Sequence, residues 1–433
     1  MKLNYTFIFT LIIIAIGTPA LAQIASNPPE DSTVVHQAGK AHTPGAGFQL
    51  VNSKSATLSF SPYVTERYLN QKGLDDNYTD AFGRTFTINK RNDIQLQKVT
   101  LYFKGWLVNP DFRYFVYVWT SNTSQGQGAQ VVIGGNLQYQ VNKHFDFGAG
   151  IGPLPTSRSL YGQWPFWLRQ DARPMAEEFF RGSFTSGIWM QGDITEGLHY
   201  KTMLGDNLSQ LGVDAGQLDN GLNTWSTALW WTSHDYGRLG LYGDFEKHNT
   251  LAGILGGSFT TSNETRQSQP GMDAPENSQI RLSDGTSLFA VNAFGPNSQV
   301  LSALYQMASF NGGIKIKGFS LDGEYFMRWI SDLKVTGNVP VRHLFDSGFT
   351  TQASYMVIDK SLQMYGTGSY LNGQYGKPSE ITAGLNWYVF KTRLFRVNPE
   401  VMFEKHSPVG YLAYPTVVGA NGTVFMINLE LFY

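Results

Sequence analysis

Cysteine does not occur anywhere in the 433 residues. Its absence removes disulfides, thiolate metal ligands, thiol nucleophiles and lipidation at an N-terminal Cys. Charge is scarce as well: Asp, Glu, Lys and Arg together make up 15% of the chain, against roughly 25% in ordinary soluble domains. The formal net charge of −1 exerts no general pull on nucleic acid, and no nucleic-acid partner is expected. Beyond residue 22 no stretch approaches about 18 consecutive apolar residues, so no transmembrane-helix candidate follows. Catalytic signatures are missing too. There is no His-Glu-x-x-His, no Gly-x-Ser-x-Gly and no P-loop Gly-Lys-Ser/Thr. Gly148, Gly150 and Gly152 run into Pro153 on a strand pattern instead of opening a helix, so they form no phosphate turn. The chain is therefore not read as an enzyme, and no cofactor is implied.

What is abundant is aromatic: 22 Tyr, 29 Phe and 10 Trp, within a 42% hydrophobic composition. Mean hydropathy is nevertheless −0.22, so the apolar residues are diluted by polar ones. The first 22 residues have a separate purpose. Lys2, the apolar stretch Phe7–Ile16 and the small-x-small Ala20-Leu21-Ala22 have the three-part pattern of a cleaved export signal. The apolar stretch is too short to span ~30 Å of hydrocarbon as a helix. Residues 23–52 read as a polar leader, with Pro28-Pro29 and many small residues.

From residue 53 onward the hydrophobic pattern has period two. Val99, Leu101, Phe103 and Leu107 alternate with Lys98, Thr100, Tyr102 and Lys104. Trp225, Leu229 and Trp231 alternate with Thr224, Ser226 and Thr232. Phe319, Leu321, Tyr325, Met327 and Trp329 oppose Ser320, Asp322, Glu324 and Arg328, and the last segment sets Phe425, Ile427, Leu429, Leu431 and Tyr433 against Asn428 and Glu430. Such segments are two-faced strands. A soluble sandwich or propeller would turn the apolar faces inward, whereas a membrane barrel turns them out to lipid around a wet lumen. The barrel is favoured by strands of about 9–12 residues, the length a tilted strand needs to cross a bilayer, and by aromatic residues near strand ends.

Short polar turns at 109–111, 142–144, 194–197, 235–238, 315–318, 359–361 and 392–396 alternate with longer loops. The expected fold is all-β: a transmembrane antiparallel barrel of about 16 strands over 53–433, with long extracellular loops and short periplasmic turns. One strand is placed at 238–247, and residues 251–260 stay inside a loop although a strand there is compatible with the sequence. Asp75, Asp76, Asn77 and Asp80 offer oxygen ligands of the Ca²⁺ type but read as a solvated loop.

Arg91 through Gly105 (RNDIQLQKVTLYFKG) resembles the early strand of the phosphate-selective porin O and P family, in which basic residues lead into an aromatic-Lys-Gly ending. The family's second basic residue there is Asn92 in this chain. Phe145 through Pro155 is similar to its Gly-rich strand running into Pro, and Arg181-Gly182 through Gly192 to the strand that follows. Phe432-Tyr433 on an alternating strand looks like the signal read by the barrel-assembly machinery. The resemblance implies a sixteen-stranded barrel in the outer-membrane lipid of a bacterium, forming homotrimers and passing small hydrophilic or anionic solutes such as phosphate.

The segment 153–179 follows the fifth expected strand and, folded inward, would narrow a lumen. Arg158, Arg169 and Arg173 are the expected positive constriction, balanced by Asp171, Glu177 and Glu178, because rings of Arg or Lys favour anions. Trp164, Phe166 and Trp167 are expected to anchor the segment to the wall or to stack against sugar faces. Lys98 and Lys104 point inward as a basic ladder, and Arg328 ties the wall together through Asp322 or Glu324 on its own face. The competing readings are an exported soluble β-rich glycan-binding protein or glycan-active enzyme, and a non-conducting barrel acting as adhesin or lipase.

Overall fold

The computed structural model describes residues 47–121, 130–161, 167–170, 172–208, 221–233, 236, 241–265, 280–410 and 414–433. The export segment 1–22, the leader up to residue 46, and Trp164, Phe166 and Asp171 lie outside the described residues. A short strand, β1 (Phe48–Asn52), pairs antiparallel with the start of β2 (Thr57–Leu74). A small hairpin of β3 (Asn77–Thr79) and β4 (Thr85–Thr87) decorates the next connection. Then come β5 (Asn92–Leu107), β6 (Asn109–Ser121), β7 (Gln130–Asn142) and β8 (Phe145–Pro153). A short helix, α1 (Met175–Phe180), precedes β9 (Phe184–Thr195), β10 (Leu198–Gly205) and β11 (Thr224–Thr232). They are followed by β12 (Ala252–Thr265), β13 (Ser298–Ile316), β14 (Phe319–Gly337) and β15 (Leu344–Ile358). The chain finishes with β16 (Leu362–Asn372), β17 (Ser379–Tyr388), β18 (Phe395–Lys405) and β19 (Gly422–Phe432).

Apart from β1, β3 and β4, each strand pairs antiparallel with the next, and β19 returns to β2 with Leu429 opposite Glu66 and Phe432 opposite Tyr63. Sixteen strands thus close into one barrel. Closure satisfies the edge N–H and C=O groups, which hydrocarbon cannot do. The tight turns are locally encoded. Between β13 and β14 the two turn residues Lys317 and Gly318 adopt φ of 50° and 86°, the left-handed geometry that matches the twist of a hairpin.

The faces of the strands are inverted relative to a soluble protein. Leu321, Tyr325 and Trp329 of β14 are exposed, while Ser320, Asp322, Glu324 and Arg328 between them are buried. On β17 Ile381 is 66% exposed and its neighbours Glu380 and Thr382 are each 1% exposed. β5, β11 and β19 repeat the arrangement, with Lys98, Thr224 and Asn428 on the buried side. The polar face therefore lines the interior and the apolar face looks outward. Part of that interior is itself packed: Phe179 and Phe180 of α1, with Phe326 and Tyr305 of the wall, join one apolar cluster with Leu288 and Phe289 of the β12–β13 connection.

Three expectations need correction. Residues 238–240 of the strand expected at 238–247 lie outside the described residues, and 241–247 form no strand. The barrel strand that follows β11 is β12, which begins only at Ala252, and most of the short turn expected at 235–238 also lies outside the described residues. The cause is visible in the packing. Ala252 and Ile254 point inward against Tyr161, Trp230 and Tyr236, so β12 lacks a polar inner face at its start. Gly253 and Gly257 weaken its outer face as well. Arg328 pairs across the sheet with Asp346 at 2.6 Å instead of along its own strand, because direct cross-strand neighbours lie closer than residues four apart on one strand. Of the acidic group near residue 80, Asp75, Asp76 and Asn77 are exposed as expected, and Asp80 differs in being buried on Arg84 at 2.5 Å.

Candidate functional site

The connection from β8 to β9 is bonded to the inner faces of distant strands. Its base is closed by the Leu154 amide donating to the Ser183 carbonyl at 2.9 Å. Arg158 sits in a single 3₁₀ turn and donates to Asp322 of β14 at 2.6 Å and to the Tyr236 hydroxyl at 2.7 Å. Its backbone N–H reaches Glu324 at 3.2 Å. Arg169 meets Glu380 of β17 at 2.5 Å and grips Glu400 of β18 with two donors, at 3.0 and 3.2 Å. That bidentate geometry is the strong form of a charge-assisted pair. In return Arg396 of β18 donates to the carbonyls of Trp167 and Arg169, at 2.9 and 3.2 Å, and Asn386 to that of Leu168 at 3.0 Å. The first amides of α1 are also taken by the wall: Met175 donates to Glu380 at 2.7 Å and Ala176 to Ser369 at 2.6 Å.

The long connection between β11 and β12 belongs to the opposite end, where the other connections are short. Asp244 accepts the Gly318 amide of the β13–β14 turn at 2.7 Å and the His248 amide at 3.1 Å. Lys315 donates to the Leu241 carbonyl and lies 4.3 Å from the Tyr236 ring. Tyr242 faces the Arg158 guanidinium at 4.4 Å and packs with Trp167, Leu168 and Tyr365. Two connections that start at opposite ends thus meet at Arg158. Burial pushes the phenols of Tyr161, Tyr236 and Tyr242 well above their usual pKa, so these hydroxyls stay neutral.

Beside this packed half lies a cavity of about 460 Å³ against β5 to β11. Lys98, Arg113, Arg173 and Lys201 bring four cations to its lining, and Asp146 brings one acid. Three of the cations rest on indole rings: Lys98 on Trp119 at 5.3 Å, Lys201 on Trp189 at 5.9 Å and Arg173 on Trp167 at 4.2 Å. Glycine makes room for one of these rings, since a Cβ on Gly148 would fall 2.1 Å from the Trp189 side chain. Tyr161 stacks on Trp230 with centroids 4.7 Å apart. A larger groove on the outer wall is lined by Leu137, Phe147, Ile188, Leu204 and Trp225. It is almost wholly apolar and offers no chemistry.

No protein-family model matches the chain, and no curated protein matches it by sequence. Solved structures do match. The outer-membrane-expressed OmpT of Vibrio cholerae superposes with a TM-score of 0.54 at 11% identity, over 88% of this chain and 99% of that one. The fold is that of an outer-membrane-type β-barrel. An anion-selective porin from Comamonas acidovorans gives 0.53 at 11% identity, over 87% and 98%. The outer membrane channel DcaP of Acinetobacter baumannii gives 0.53 at 8%, over 90% and 100%. At these identities the likeness is one of architecture.

Within this barrel the sequence-predicted residues separate into two groups. Lys98 and Arg173 line the cavity. Arg158 and Arg169 lie outside its lining and are engaged with wall carboxylates. Arg173 itself donates to Ser159 at 2.6 Å and has Glu177 and Glu178 at 3.5 and 3.8 Å. Lys104 shares the inward face of β5 with Lys98 and Tyr102 but also lies outside the cavity lining. Lys201, with Trp189 and Trp230, was not singled out from the sequence. The available signal was alternation in 199–203, where His199 and Lys201 share the inward face.

Proposed function

We propose that this chain is a porin of a bacterial outer membrane, passing small hydrophilic solutes, anions ahead of cations, through a lumen narrowed by residues 153–179. The observation that carries the reading is the inversion of faces: exposed Leu, Ile, Trp and Tyr outside, buried Lys, Arg, Glu and Asn inside. Lipid rewards that distribution and water penalises it. Four cations line the cavity with one carboxylate, and although Glu177 and Glu178 partly balance Arg173, the lining favours anions because its cations offset the cost of shedding hydration. In this reading Lys98 and Arg173 meet the anion together with Lys201 and Arg113. Arg158 and Arg169 hold the narrowing segment in place, and Lys104 extends the positive path along β5. The names of the similar structures, an anion-selective porin and an outer membrane channel, point the same way. Export through residues 1–22, assembly through the last strand and a homotrimeric state complete the proposal. One similar structure is described as a trimer form.

A planar lipid bilayer with a KCl gradient tests this. The purified protein should give conductance steps with a zero-current potential of anion-selective sign. Replacing Lys98, Arg173 and Lys201 together by Gln should move that potential toward the cation side. Absence of steps would reject the channel, and an unchanged potential would reject these three residues. Competing phosphate tests the narrowest form of the reading, the phosphate preference that the O and P resemblance implies.

A further inference from the structure

The cavity is too aromatic for a site that handles only small hydrated ions. We propose that it is a recognition site for an aromatic carboxylate, a flat ring bearing one anionic group. The proposal deepens the channel reading and rests on it for the solute's route.

The walls carry the argument. Three cation–indole pairs, Lys98 with Trp119, Lys201 with Trp189 and Arg173 with Trp167, surround one volume. Each pair sets a positive group beside a ring face, so a carboxylate held by the cation leaves its own ring next to an indole. Lys98 and Lys201 are 4% and 5% exposed, so the charges are poorly screened. The donors a carboxylate would use are the cations themselves, since the ammonium groups of Lys98 and Lys201 and the guanidinium of Arg173 belong to the same lining as the indoles. The single acid, Asp146, is approached by Gln191 at 3.3 Å and weighs against a second negative charge on the ligand. A volume of about 460 Å³ is in the range of sites for small organic ligands.

The test separates ring from charge. Detergent-solubilised protein is titrated calorimetrically with benzoate, acetate, benzyl alcohol and inorganic phosphate. Benzoate should bind about tenfold or more tighter than any of the other three, equivalent to ~1.4 kcal/mol. Trp119→Leu should bring benzoate close to acetate, and Lys201→Gln should bring it close to benzyl alcohol. Acetate or phosphate binding as tightly as benzoate, or no binding of benzoate at all, would overturn the proposal. Binding is read without conduction, so a protein that binds benzoate but gives no bilayer current would refute the channel and keep the site. Should either variant fold poorly, the comparison among the four ligands on the unaltered protein still decides.

Discussion

A guanidinium with no exposed surface stands between two equally buried carboxylates where Arg169 meets Glu380 and Glu400. Three charges out of bulk water are tolerable only while each keeps its partners, since a buried pair broken on one side leaves an uncompensated charge. Arg169→Ala should therefore destabilise the barrel by about 3–5 kcal/mol, measured as earlier loss of β-structure on heating in detergent. Arg169→Lys should recover only part of this, because an ammonium cannot present parallel donors to Glu400. The sequence already marked Arg169, since a long segment rich in Arg and Trp follows a strand. It did not reveal Glu380 and Glu400 as partners, because no local periodicity sets how a connection docks on the far wall. Lys98 was legible through its alternation with Val99 and Leu101. Lys201 was passed over because a single Lys in a strand gives no sign of the indole facing it.

Depth along a strand decides what an outward substitution costs. Tyr325 lies six residues beyond Phe319, the first residue of β14, roughly 15 Å up a tilted strand, and is 43% exposed. Tyr325→Arg should cost ~2–4 kcal/mol, as expected of a charge near the bilayer midplane. Trp231 is exposed but sits one residue from the end of β11, opposite Leu198 beside the β9–β10 turn. Trp231→Arg should cost only ~0–1 kcal/mol, as at an interface. Reversible unfolding in lipid vesicles checks both, and equal costs would contradict the placement. Elements such as β14 and β19 were legible because lipid outside and polar groups inside write opposite chemistry on alternate residues. β12 was not, because a packed lumen makes an inner face apolar too, as at Ala252 and Ile254.

A formal charge of −1 conceals how the charges are sorted across the molecule. Acids gather where the β8–β9 connection docks, at Asp322, Glu324, Glu380 and Glu400, and bases gather around the cavity. That sorting depends on the closed sheet, in which every strand has two hydrogen-bonded neighbours. Such a sheet should resist dodecyl sulfate at room temperature and open on boiling. The unheated protein should therefore migrate differently from the boiled one on a gel, whereas a soluble β-rich protein would give one position for both. The barrel itself could be read from the two-faced strands. How its interior is filled could not, because that depends on connections whose own sequences carry no period.

The order of synthesis gives the β8–β9 connection a further property. Arg158 and Arg169 emerge from the chain well before Asp322, Glu380 and Glu400, the carboxylates that neutralise them. Until β14, β17 and β18 are in place, those counter-charges are not assembled around the two guanidiniums. A chain halted before β17 would hold Arg169 with neither of its carboxylates, so the connection can take its final seat only when the last quarter of the molecule has been made.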